Sequence, residues 1–85
     1  MIKYYKRESE SELGEGVIYL SVDTNLDEVI SQVECYKDQF FWSNNDEQSD
    51  SRFMLADQPA SEIGLTDEYL VDEAEFKNIW TQATV

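Results

Sequence analysis

There is no histidine in this chain, and the residue types that most often carry chemistry are thin: one cysteine, one proline and three glycines in 85 residues. Without histidine, the commonest general base near neutral pH and the commonest transition-metal ligand are both missing. The lone thiol, Cys35, has no imidazole to activate it and no second cysteine to pair with, so a Cys–His nucleophile and an internal disulfide are excluded. Gly14, Gly16 and Gly64 cannot be arranged as G-x-G-x-x-G or as a P-loop. Positive charge is scarce as well: six Lys and Arg stand against nineteen Asp and Glu, a formal net charge of −13. A field of that sign repels nucleic-acid phosphates and anionic lipid surfaces, which argues against direct binding to either. No apolar run is long enough to span a bilayer as a helix. The opening M-I-K-Y-Y-K-R-E-S-E turns acidic where a secretory signal needs its apolar stretch, so a cytoplasmic protein is expected.

What is present suffices for a core. A hydrophobic content of 41% with 13% aromatic residues predicts one small folded domain, residues 1–85, rather than a disordered acidic chain. The organising stretch is Val17 to Ser43, where β-branched and aromatic residues come in three runs broken at Asp23-Thr24-Asn25 and Lys37-Asp38-Gln39. Short polar side chains at those breaks bond their own backbone, so the block reads as three antiparallel strands. A helix competes for residues 26–38: Leu26, Val29, Ile30, Val33 and Phe40 fit one helical face, and Asn25 with Glu28 would make a capping box. The strand reading is preferred because Val29, Ile30 and Val33 are stiff at χ1 and because Val33, Cys35 and Lys37 alternate with Glu34 and Tyr36.

Around that block, Ile2 to Arg7 reads as a first strand, whose cations Lys3, Lys6 and Arg7 are expected beside carboxylates. Glu8 to Gly16 reads as a solvated loop of alternating carboxylates and serines. Asn44 to Arg52 is polar throughout. Its oxygens at Asn44, Asp46, Gln48 and Asp50 begin like a calcium loop, but Ser49 stands where glycine is needed and Leu55 where the bidentate glutamate belongs. Phe53-Met54-Leu55-Ala56 is a short apolar run that forms either a further strand or a segment closing the core. Pro59 to Ile63 suits one helical turn stopped by Gly64, and Tyr69-Leu70 a brief extended piece. Asp72, with Glu75 three residues on, predicts a capped C-terminal helix that turns Phe76, Ile79, Trp80 and Ala83 to one face.

The fold class expected is α+β: an antiparallel sheet of four to five strands with one C-terminal helix packed on a face. The opening K-Y-Y-K-R-E, the block S-Q-V-E-C-Y-K-D and the closing E-A-E-F-K-N-I-W together resemble small bacterial proteins, cyanobacterial ones among them, that form a domain of unknown function. That resemblance implies a strand over Val29–Tyr36 and the terminal helix, and it carries no active site.

Carboxylate pairs such as Glu28 with Glu34, or Asp67 with Glu68, are the only acid–base material, and an enzyme is not expected. No cofactor or metal is implied. Two features point outward instead. From Asp46 to Glu75 the chain carries ten carboxylates and only Arg52 as a cation, which would make one side of the molecule negative and suited to a basic partner protein. Phe40-Phe41-Trp42 puts aromatics on both faces of one strand, either as two layers of core or as an exposed patch. The candidate interaction residues are therefore Phe41, Trp42, Asp46, Glu47, Asp50, Asp67 and Glu68. The function expected is a non-catalytic protein-binding or inhibitor module, a class that includes immunity proteins and nucleic-acid mimics. The competing reading is an accessory or structural subunit, a homodimer or complex component, associating through the aromatic sheet face.

Overall fold

In the computed structural model, which describes residues 1–85, five strands and one helix form an α+β fold. Strands β1 (Ile2–Ser11), β2 (Gly14–Asp23), β3 (Glu28–Tyr36) and β4 (Gln39–Asn44) follow one another as an antiparallel meander, and β5 (Leu70–Val71) adds to the far side of β1. The sheet order is β4-β3-β2-β1-β5, with helix α1 (Glu73–Thr84) packed on one face. The disputed residues 28–36 are strand, paired on both sides with β2 and β4. At one point the β2–β3 register slips: Ser21 pairs with Ser31 and Val22 with Val29, so Ile30 is an extra residue in β3.

Because β4 lies at one edge and β5 at the other, the chain between them must cross the whole sheet. Residues 45–69 make that crossing on the face opposite the helix, as an irregular strap with two 3₁₀ turns, Ala60–Glu62 and Asp67–Tyr69. Each face of the sheet therefore carries a cover, the strap on one and helix α1 over part of the other. Under the helix, Tyr19, Val33 and Phe76 are buried, flanked by Tyr4, Val17, Cys35, Trp42, Ile79 and Trp80. Under the strap, Tyr5, Leu20, Val22, Val29 and Ala60 form one cluster, and Tyr36, Phe41 and Phe53 another, which Leu13 closes. Alternation along β4 assigns the aromatics. Trp42 meets Trp80 of the helix edge-on at 5.8 Å, while Phe41 stacks on Phe53 of the strap at 4.1 Å.

The strap is irregular but well tied. Gln32, buried in β3, donates to the Met54 carbonyl at 3.0 Å and accepts from the Ala56 N–H at 2.9 Å. Asp27 takes a left-handed φ of 55° in the β2–β3 turn, and its carboxylate accepts from both the N–H and the hydroxyl of Ser61. Phe53–Ala56 is thus a closing segment rather than a strand. Its polar backbone is satisfied by a side chain of the sheet, so no ladder partner is required.

Two expectations are corrected. Glu8–Gly16 is not a loop: β1 and β2 run on as a long hairpin whose only unpaired residues are Glu12 and Leu13, with Gly14 at φ 108°. Glutamate, serine and glycine are poor strand formers, yet this tip is held from outside, by the Ser9 hydroxyl 3.0 Å from that of Tyr36 and by Arg52 at 3.0 Å from Glu12. Gly16 is required there, because a Cβ would collide with the Cys35 carbonyl oxygen and the Tyr36 ring. Nor do the three early cations all find carboxylates. Lys6 lies 3.9 Å from Glu75, but Arg7 donates to the Ile63 carbonyl at 2.6 Å, pinning the strap, and Lys3 forms no ion pair.

Candidate functional site

The seven candidate residues do not assemble into one site. Phe41 is 8% exposed inside the strap-side core, and Trp42 is half-buried against Trp80, so the aromatic pair is spent within the monomer. Only Phe40 of that run keeps an exposed ring edge, at 37%. Asp46, Glu47 and Asp50 sit on the turns that follow β4 at one edge of the sheet, whereas Asp67 and Glu68 sit on the 3₁₀ turn before β5 at the other. Four inter-strand spacings, roughly 19 Å, separate the two groups.

The carboxylates of residues 46–75 are accordingly not gathered on one side. The segment crosses one face, reaches the far edge and returns over the opposite face as α1, so its charges are distributed around the molecule. The paired acids fare likewise. Glu28 and Glu34 project to opposite faces: Glu34 accepts from the Tyr36 hydroxyl at 2.7 Å and from Gln32 at 3.1 Å on the strap side, while Glu28 is exposed. In the polar turn, Asn44 Oδ1 accepts the N–H groups of Asp46 and Glu47, and Asp50 Oδ1 accepts that of Arg52. Those oxygens cap backbone, as turn-forming Asn and Asp do.

What the surface does hold is unbalanced negative charge. The ion pairs are Lys6–Glu75, Arg52–Glu12, Arg52–Asp50 and Lys77–Glu73. Four of the nineteen carboxylates are thus paired, leaving fifteen without a cation. Of the remaining basic residues, Arg7 is committed to the Ile63 carbonyl. Sheet register even sets acids directly opposite one another, Glu10 against Glu15 and Asp23 against Glu28. Like charges so placed are destabilising, a cost the fold carries twice.

The shifted titrations fit a surface held ionised. Hydrogen bonds from Arg52 hold the Asp50 carboxyl down to about 2. Lys77, with the Tyr4 hydroxyl, lowers that of Glu73, and burial together with Glu73 raises the Tyr4 phenol. Both carboxyl shifts run away from the raised value a carboxylic general acid needs at neutral pH. Burial pushes the Cys35 thiol up to about 11, which makes it an inert, half-buried strand residue.

Sequence reasoning missed the residues that tie the strap, namely Arg7, Asp27 and Gln32. A glutamine amid the apolar residues of a central strand was the one readable signal, since a buried amide must find partners. No family model, no curated protein and no solved structure matches this chain.

Proposed function

We infer that this is a small, non-catalytic, acidic protein-binding module of the cytoplasm that acts through its carboxylates on a basic partner protein. The observation that carries this reading is the fifteen carboxylates left without a cation, two pairs of them opposed in register. Self-repulsion of that kind weakens a monomer and is relieved by a cationic surface, so the fold is charged against its own stability and in favour of such a partner. Inhibition of a basic enzyme or toxin, with carboxylates standing where phosphates would, falls within this class.

The competing reading, an accessory subunit or homodimer joined through an aromatic sheet face, would have to use Phe40 and the half-buried Trp42, since Phe41 lies under the strap. The test is capture on the immobilised chain from a cell lysate, eluted with rising salt. Basic proteins released between low and moderate salt are expected. Retention of nothing basic, or only of species that survive high salt, overturns the reading.

A further inference from the structure

Helix α1 leaves part of its face of the sheet bare. Ile30, the extra residue at the register slip, joins Ile2, Tyr4, Phe76 and Trp80 in lining an apolar hollow of about 260 Å³ between sheet and helix. Ile2 stays 38% exposed there and Ile30 is half-buried. The hollow is smaller than the ~300–1,000 Å³ of sites that enclose a small molecule, so its size suits one side chain of a larger partner. Its surroundings set the partner's charge. Ile2 pairs with Asp23, and Asp23 with Glu28. Directly opposed residues project from the same face, so these two carboxylates stand next to Ile2 on the hollow's side of the sheet, the Asp23 Oδ1 accepting from the Asn25 and Leu26 N–H groups of the turn and its other oxygen remaining free. Neither has a cation, and the one cation on the lining, Lys77, is neutralised by Glu73 at 3.2 Å.

We propose that this hollow, with Asp23 and Glu28, docks a segment of a basic protein in which an aliphatic or aromatic side chain is flanked by Arg or Lys. This deepens the acidic-binder reading and rests on it. The apolar side chain covers Ile2, Ile30 and the Trp80 edge, and the flanking cation converts the Asp23–Glu28 repulsion into two attractions. A second copy of this chain is a poor occupant, since it would bring the same carboxylates to the same place.

The probe is a short acetylated peptide with one leucine between arginines, titrated into the full chain while tryptophan fluorescence is followed, because Trp80 lines the hollow. Salt-sensitive binding is expected, weakened about tenfold or more when the peptide's leucine is replaced by serine, and similarly by Ile2→Ser or Ile30→Ser. Ile2 lies at the exposed start of β1, so its variant serves if the Ile30 variant does not fold. Asp23→Asn with Glu28→Gln is expected to weaken binding more than Glu10→Gln with Glu15→Gln, which removes the same charge from the other opposed pair. Equal losses from both double variants, with serine peptide binding as well as leucine peptide, overturn the hollow while leaving the acidic-binder reading standing. No binding of either peptide at low salt overturns both. A salt-insensitive dimer that Ile2→Ser abolishes gives the hollow to a second copy and likewise overturns the proposal.

Discussion

Replacing Phe53 by alanine tests whether the irregular strap is structural core or merely a long connection. Its ring is 6% exposed, stacked at 4.1 Å on Phe41 and 5.5 Å from Tyr36, with the Arg52 guanidinium 5.5 Å from its centroid on the solvent side. Truncating such a ring removes about 150–250 Å² of burial and leaves a cavity, a loss of about 3–5 kcal/mol. A domain of this length has only about 4–13 kcal/mol in total, so the variant should stand near the edge of unfolding. The assay exploits an asymmetry of the fold. Trp42 and Trp80 both lie on the helix side of the sheet, and Phe53 lies on the other. If strap, sheet and helix melt as one unit, a change on the strap side moves the tryptophan fluorescence transition in urea down by about 2–4 M with its slope unchanged. A double-mutant cycle with Phe41→Ala should return about 0.5–1.5 kcal/mol for the stack itself. A midpoint moved by less than about 0.5 M would refute the reasoning, because the strap could then detach without the rest of the fold noticing.

The helix cap gives a smaller effect: Asp72 Oδ1 accepts from the Glu75 N–H at 2.8 Å, so Asp72→Ala should cost about 1 kcal/mol, read as a lowered denaturant midpoint. Asp50 should titrate near 2 by carbon-detected NMR and return toward 3.8 in Arg52→Gln. Its folded value lies below the unfolded one, so the Asp50–Arg52 clip contributes fully above about 3.8 and is lost as the pH falls through about 2; a midpoint that ignores the Arg52 change sinks the assignment. Cys35, with its thiol raised from 9.0 to about 11, should react with a disulfide reagent at pH 8 at least ~10-fold more slowly in the folded chain than in urea, the loss of thiolate outweighing its greater nucleophilicity, and equal rates would show that the thiol is open.

Much of the architecture was legible wherever hydrophobic period and turn chemistry agreed. Val17–Tyr36 is rich in β-branched and aromatic residues, Val33 and Cys35 alternate with Glu34 and Tyr36, Lys37-Asp38 turns the chain with Lys37 at φ 56°, and the Asp72 cap marks the start of the helix. The β1–β2 hairpin was hidden because its outer half is made of residues with little strand propensity, and what stabilises it, Tyr36 and Arg52, lies far along the chain. The strap was opaque for a related reason. Its backbone is satisfied by single side chains, Gln32, Asp27 and Arg7, rather than by a repeating ladder, so no periodicity announces it. The candidate acids were read as contiguous because they are contiguous in sequence, and the crossing from β4 to β5 is what separates them.

The order of the strands also bears on how the chain comes to be folded. Residues 1–44 form a meander of neighbouring hairpins, the kind of local pairing that assembles quickly, while both of its covers, the strap and the helix, come later in the chain. A four-stranded sheet emerging in that sequence would show two naked apolar faces, carrying Leu20, Val22 and Val29 on one side and Tyr19 and Val33 on the other, before anything could shield them. Sheets in that condition stick to one another. Two nascent copies of this chain would meet carrying Glu8, Glu10, Glu12 and Glu15 along the same hairpin, and their mutual repulsion would act as a gatekeeper until Phe53 and Phe76 arrive.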